Sequence, residues 1–361
     1  MFCCKRQPVI LYLLGVLTGI LLFSLLQFQV HDQTYGHNTD DFVPQAPPLS
    51  GNSTEENTYF FYKHEHGESA VVKELKKRVR ILCWIMTHNS KNGNMRATAV
   101  NRTWGPKCDK YLFVSTNVSS LPSVDLNVTE GRKYLWQKTK RAFKYVYDHY
   151  GSEYDWFVKA DDDTFMFVEN LRFMLMNYNK EEPIYFGCNF KVIVRTGYMS
   201  GGAGYILSHE ALRRFVEDGL SDPKKCKAAD TGDEDVEVGR CLGKLGVILG
   251  DSRDASGRHR MLPMAPEIHF GSENKGKIPD WFENYTRYPI YNEKGECCSD
   301  YMISFHYVSG AKMYALYNLV YHVRVFGVTD EHLLLGAPNL GQKLTKISKE
   351  SNRELGSRRK K

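Results

Sequence analysis

The chain has 361 residues, 42% of them hydrophobic, and a formal charge of +6. That is enough apolar material for one large domain or two small ones, and it excludes a chain without a core. Much of the basic excess lies between Lys343 and Lys361, in a Ser-containing polar run that ends Arg358-Arg359-Lys360-Lys361; such a run reads as a solvated tail, so no nucleic-acid partner is expected.

Pro8 to Val30 is almost free of charge, and a membrane-crossing helix needs ~20 such residues. Lys5 and Arg6 precede it and Asp32 follows, so by the positive-inside rule the short amino end stays cytosolic and the bulk is lumenal. The run is longer than the apolar part of a secretory signal, and no small-x-small cleavage site follows, which favours a retained anchor. The expected organisation is a cytosolic tail over 1–7, a transmembrane signal anchor over 8–30, a lumenal stem over 31–78, a catalytic domain over 79–335 and a polar basic tail over 336–361. Five sequons, at Asn52, Asn101, Asn117, Asn127 and Asn284, agree with a lumenal chain. An oxidising compartment would pair most lumenal cysteines. Local pairing joins Cys83 with Cys108, Cys226 with Cys241 and Cys297 with Cys298, leaving Cys188 unpaired. No Cys-x-x-Cys spacing supports zinc.

The first buried strand is expected over Arg80–Thr87, followed by a polar helix from Lys91 to Trp104 and a strand over Lys110–Ser115. Tyr134, Thr139, Phe143 and Val146 recur at roughly helical spacing in a helix from Glu130 to Tyr150, stopped by Gly151. The next strand, Asp155-Trp156-Phe157-Val158-Lys159-Ala160, runs straight into Asp161-Asp162-Asp163. Adjacent carboxylates are costly to bury, so the triplet belongs where the strand leaves the sheet, in a cleft at its carboxyl end. Hard oxygen ligands there suit Mg²⁺ or Mn²⁺, with open positions left for a nucleotide's phosphates. An EF-hand fails on spacing, since its glycine and final glutamate positions hold Met166 and Arg172. A helix from Val168 to Tyr178 and a strand over Ile184–Gly187 follow. The alternation predicts an α/β fold with a mainly parallel sheet and helices on both faces. The glycine-rich segment Gly197 to Tyr205 lacks a dinucleotide-loop pattern and reads as a tight turn that lets backbone approach a ligand. Ser208 N-caps a helix to about Asp218. The acids Asp230, Asp233, Glu234, Asp235 and Glu237 open another helix that ends at Gly243; acids are favoured at helix starts, and this cluster also offers a general base separate from a metal site.

Taken in order, Arg80–Thr87, Thr103-Trp104, the strand and Asp triplet, Glu182–Gly187, Gly197–Tyr205, Glu234-Asp235 with Gly239-Arg240-Cys241, Gly250–Asp254, Cys297-Cys298-Ser299-Asp300 and Ser304-Phe305-His306-Tyr307-Val308 resemble the inverting β1,3-glycosyltransferases of the Golgi. The resemblance covers about 79–327. It implies a GT-A-type nucleotide-sugar-binding fold in a single-pass type II Golgi membrane protein. The implied donor is UDP-galactose and the implied cofactor Mn²⁺. The implied acceptor is N-acetylgalactosamine on Ser or Thr of a glycoprotein, joined at O3. By position, Asp163, His306 and Asp161 would hold the metal, and Asp161, Asp162, Arg96, Gly201 and Gly202 would face the donor. Trp281 and Tyr205 would meet the acceptor, and Asp235 would be the catalytic base, with Glu234 as the fallback. A homodimer and a dedicated chaperone are the further partners raised. Where the wider family often has Arg before its Thr-Trp pair this chain has Asn101, and Arg96 or Arg102 could supply the charge instead. Two other readings stay open: a sister transferase with another donor or acceptor, and a catalytically silent lumenal chaperone or lectin on the same scaffold.

Overall fold

The computed structural model describes residues 69–116, 121–270, 278–291 and 296–325, with Asn339 and Gln342. The expected anchor, the sequons at Asn52 and Asn117 and nearly all of the expected tail lie outside the described residues. Among those described, no helix is long and apolar enough to cross a membrane.

The elements are α1 (Ala70–Arg78), β1 (Ile81–Met86), α2 (Lys91–Arg102), β2 (Lys110–Val114), β3 (Ser123–Val124), α3 (Leu135–Tyr150), β4 (Trp156–Asp161), β5 (Phe165–Met166), α4 (Val168–Leu175), β6 (Ile184–Gly187), β7 (Asn189–Phe190), β8 (Tyr198–Met199), β9 (Tyr205–Ser208), α5 (His209–Arg213), α6 (Glu234–Lys244), β10 (Ile248–Leu249), β11 (Met261–Leu262), α7 (Pro266–His269), α8 (Asp280–Tyr285), β12 (Ser304–Phe305) and α9 (Gly310–Tyr321). Helix α1 occupies the last residues of the expected stem, which had too little apolar period to announce it. It lies against α4. Ser69, Ser90, Ser208 and Ser309 each accept a backbone N–H at a helix start, the capping chemistry expected of Ser208. The helix that Ser208 opens widens into a π turn over Arg214–Gly219.

Among the described residues a seven-stranded sheet runs β10-β6-β9-β4-β1-β2-β3. The sheet is mainly parallel, as expected, but β9 lies antiparallel to both β4 and β6. The glycine segment is the reason: it carries the chain back across the sheet end through β8 and a turn with Gly204 at φ +77°, a conformation that favours glycine.

Both faces of β1 are buried, which follows from its unbroken run Ile-Leu-Cys-Trp-Ile-Met. Alternation divides it: Ile81, Cys83 and Ile85 pack with Ala97 and Val100 of α2, whereas Leu82, Trp84 and Met86 pack with Trp136, Phe143 and Val146 of α3. Each such side chain contributes ~1.5–3 kcal/mol on burial, so the centre of the sheet is a stiff platform. Cys83–Cys108, Cys226–Cys241 and Cys297–Cys298 are disulfides, and Cys188 is free and buried, in agreement with the sequence reading.

A small second sheet, β11-β12-β5, matters for the site. Phe305 pairs with Phe165 and Ser304 with Met166, so the residue after β12, His306, is carried to the Asp triplet that precedes β5.

Candidate active site

Strand β4 ends at Asp161, and the three acids turn out of the sheet there. Asp161 and Asp163 face His306, whose Nε2 lies 3.0 Å from Asp163 Oδ1 and 3.8 Å from Asp161 Oδ2. Asp162 turns away: its Oδ2 accepts a 2.7 Å hydrogen bond from Thr87 at the end of β1. Arg96 on α2 spans the two later acids, with Nη1 3.6 Å from Asp162 Oδ1 and 3.4 Å from Asp163 Oδ2. Arg96 thus brings a guanidinium to the acids, whereas Arg102 is exposed. Burial works to raise Asp163, but the hydrogen bond and charge of His306, with Arg96, outweigh it and hold this carboxyl below its ordinary value. At Asp162 burial wins over the Thr87 hydrogen bond and pushes the carboxyl up to about 7.

One ligand atom from each of Asp161, Asp163 and His306 falls within 4.8 Å of the others. Two carboxylate oxygens and an imidazole nitrogen, with the rest of the shell open, fit a six-coordinate divalent ion that binds a diphosphate on its open side. The next residue, Tyr307, has φ +54°, an uncommon conformation for a bulky side chain. Its ring packs on that of His306, with centroids 4.0 Å apart.

Two adjoining clefts share this cluster. One, of about 510 Å³, runs from the triplet past Thr87, Arg96 and Lys138 to Glu130 and Arg132. The other, of about 240 Å³, leads from Asp161 and His306 across Gly201 and Gly202 to Asp235 and half-exposed Trp281. The first is the right size for a small ligand. The glycine turn lines the second cleft and is pinned by side chains. Lys159 donates to the Gly201 carbonyl, Thr164 to that of Gly202 and Ser304 to that of Ala203. Gly202 packs so closely on His306 that an added Cβ would lie 2.2 Å from the ring.

Across the turn, the first residues of α6 bring Glu234 and Asp235 to the cleft. Asp235 Oδ2 accepts the Gly201 N–H at 3.0 Å and Oδ1 accepts that of Val236. Burial raises Asp235, partly offset by the Gly201 amide and the Lys159 charge. Glu234 is buried and more fully engaged: Oε1 accepts from Thr139 and from the Tyr205 hydroxyl, and Oε2 lies 3.6 Å from Lys159 Nζ. Burial raises Glu234 too, against the pull of Lys159. For Lys159 burial acts downward, but Asp161 and Glu234 more than compensate and keep it a cation.

Tyr205 is fully buried. Its expected acceptor contact is therefore corrected: the tyrosine lies beneath the site as a support for Glu234, because β9 points it into the core beside Phe143. Trp281 lies at the cleft, in α8. The sequons at Asn127 and Asn284 are exposed, and Asn101 is half-buried with its carbonyl accepting from Tyr111. The sequence reading missed Lys159, Thr139, Thr87, Lys138 and Arg132. For Lys159 a signal existed, since a lysine in the middle of an apolar strand must be paired if buried.

A family model described as Fringe-like matches residues 81–260. The chain is 45% identical over 265 residues to the glycoprotein-N-acetylgalactosamine 3-beta-galactosyltransferase 1 of Xenopus laevis, covering 73% of this chain and 72% of that one. It is 29% identical over 156 residues to a mouse beta-1,3-glucosyltransferase, covering 42% of this chain and 31% of the relative. It is 28% identical over 240 residues to human chondroitin sulfate synthase 3, covering 56% and 26%. On the family match and on the identity and mutual coverage with the Xenopus relative, the chain belongs to the Fringe-like family of inverting β1,3-glycosyltransferases.

Proposed function

We propose that the protein transfers galactose from UDP-α-galactose to O3 of N-acetylgalactosamine α-linked to Ser or Thr of glycoproteins, with inversion to a β linkage. The observation that carries the proposal is the facing arrangement of two acid groups. Asp161 and Asp163 with His306 stand on one side of the glycine turn, and Asp235 stands on the other, hydrogen-bonded to that turn. The GT-A-type reading rests on the same sheet-end position of the triplet.

In the displacement, the acceptor O3–H proton passes to a carboxylate oxygen of Asp235 as O3 bonds to the anomeric carbon. The bond from that carbon to the diphosphate oxygen breaks on the opposite face, and its electron pair leaves with UDP. Asp161, Asp163 and His306 would hold Mn²⁺, which when bound supplies positive charge for the departing diphosphate. Arg96 adds a fixed cation beside the same acids, and Asp162, anchored on Thr87, keeps the triplet's turn in place. Trp281 offers an aromatic face to the acceptor sugar. The chain would act in the Golgi lumen as a single-pass type II protein, anchored through residues 8–30 and glycosylated at its exposed sequons. A homodimer and a dedicated chaperone are carried as partners on the family resemblance.

The test is Asp235→Asn against Glu234→Gln, with UDP binding in Mn²⁺ and transfer to an N-acetylgalactosamine glycopeptide measured side by side. Asp235→Asn should bind UDP normally while transfer falls by ~10²- to 10⁴-fold. If Asp235→Asn stays active and Glu234→Gln does not, the base is the neighbouring residue. If both stay active, the mechanism is wrong.

A further inference from the structure

Lys159 lies in the middle of β4 with its side chain almost wholly enclosed. Its ammonium has three protons and three partners: Asp161 Oδ1 at 2.7 Å, the Gly201 carbonyl at 3.2 Å and Glu234 Oε2 at 3.6 Å. These belong to the metal-binding side, the glycine turn and the base-bearing helix in turn. The Gly201 residue links them further, because its N–H donates to Asp235 while its carbonyl accepts from Lys159.

We propose that Lys159 is a positioning residue for transfer: it holds Gly201 by the carbonyl, so that the Gly201 amide aims the Asp235 carboxylate at the acceptor hydroxyl, and it ties that aim to Asp161 on the metal side. The proposal rests on the galactosyl-transfer reading above. Lys159 does not touch substrate. It acts through backbone and through two carboxylates. Its removal does not release the whole turn, since Thr164 and Ser304 still hold the carbonyls of Gly202 and Ala203. What it removes is the side-chain hold on the Gly201 carbonyl, which then keeps only the Gly204 N–H at 3.0 Å, and with that hold goes the tie from the Gly201–Asp235 pair to Asp161 and Glu234. An Å-scale error in the aim of a catalytic group is enough to cost ~100-fold in rate.

A plain structural role would also make Lys159→Met harmful, because buried Glu234 and partly exposed Asp161 would then lose the cation between them. The experiment therefore uses Lys159→Met combined with Glu234→Gln, which removes one charge of each sign, and takes Glu234→Gln alone as its reference. Thermal unfolding, calorimetric binding of UDP with Mn²⁺, and kcat and KM for UDP-galactose and the glycopeptide are measured for both and for the unaltered enzyme. The expected result is a double variant that unfolds near the reference temperature and binds UDP as the reference does, with KM values little changed and kcat lower by ~100-fold. Lys159→Arg in the Glu234→Gln background, which keeps a donor for the Gly201 carbonyl, should recover part of the kcat lost in the double variant. The proposal is overturned if the double variant turns over at the reference rate, or if the whole loss appears in KM or UDP affinity. Failure of the unaltered enzyme to transfer galactose would refute the functional reading instead, and the two failures are told apart in the same data.

Discussion

Replacing Gly202 by Ala places one methyl group against the histidine proposed to hold the metal and changes nothing else. The added Cβ would lie 2.2 Å from Nδ1 and 2.3 Å from Cε1 of His306. Ordinary contacts settle near ~3.5 Å, so the ring or the turn has to yield by ~1 Å. The turn resists, because Thr164 and Ser304 bond its carbonyls and its neighbour Gly201 is packed on Glu234 and Lys159. The ring moves more easily, and its Nε2 then leaves its place 3.0 Å from Asp163. Backbone strain does not enter, since Gly202 is not among the positive-φ glycines. Overpacking of this kind costs ~1–3 kcal/mol. A displaced ligand should lower the affinity for UDP with Mn²⁺ by at least ~10-fold. Turnover should fall by ~100-fold if the error stays near 1 Å. Calorimetry and steady-state transfer would measure both, with Gly310→Ala as a control whose Cβ meets nothing closer than 3.5 Å. A Gly202→Ala protein that folds and binds UDP with Mn²⁺ as the parent does would refute the packing argument.

Asp163→Asn and His306→Ala each remove a proposed ligand, so both should weaken Mn²⁺-dependent UDP binding by at least ~10-fold along with turnover; unchanged binding in either would remove that residue from the proposed site. Buried His269, with neither ring nitrogen hydrogen-bonded, is held down to about 4 by burial and by His259. Its neutral form is the one that folds, so the unfolded chain takes up the proton first as pH falls below ~6.5, and up to ~3 kcal/mol of stability should be lost progressively towards pH 4. In His269→Phe, denaturant midpoints compared at pH 7 and pH 5 should differ less than in the parent; an equal difference would mean that His269 does not carry the acid sensitivity.

Much of the sheet was legible because β1, β4 and β6 are short apolar runs buried on both faces, and such runs can hardly be placed elsewhere. Helix α3 was legible through Thr139, Phe143 and Val146, although its start was read too early, because Arg132–Tyr134 forms a separate 3-10 turn. The antiparallel course of β9 was not legible. It depends on how the chain from Gly197 to Gly204 folds back, and glycine allows many paths where a branched residue would allow few. Within the site, the acids and His306 were found, the latter only through family resemblance, since nothing local separates a ligand His from a packed one. Tyr205 was misplaced because its sequence neighbours lie in the cleft, while its own side of β9 is set by pairing with Lys159 across the sheet.

The choice between two adjacent carboxylates as base follows from what each already accepts. An ionised carboxylate has roughly four lone-pair sites. Three groups converge on Glu234: the Thr139 and Tyr205 hydroxyls and the Lys159 ammonium. Taking a proton there would set an acid O–H against donors already aimed at it. Asp235 accepts two backbone N–H groups, one per oxygen, so each oxygen keeps a lone pair, and although both acids line the cleft Asp235 is the more exposed of the two. Burial raises both acids, which suits a base that must hold a proton at the transition state. With strength similarly biased in the two, access decides. Sequence order alone could not supply that distinction, because the residues that engage Glu234 come from α3, β4 and β9 and meet only after the sheet has closed over them.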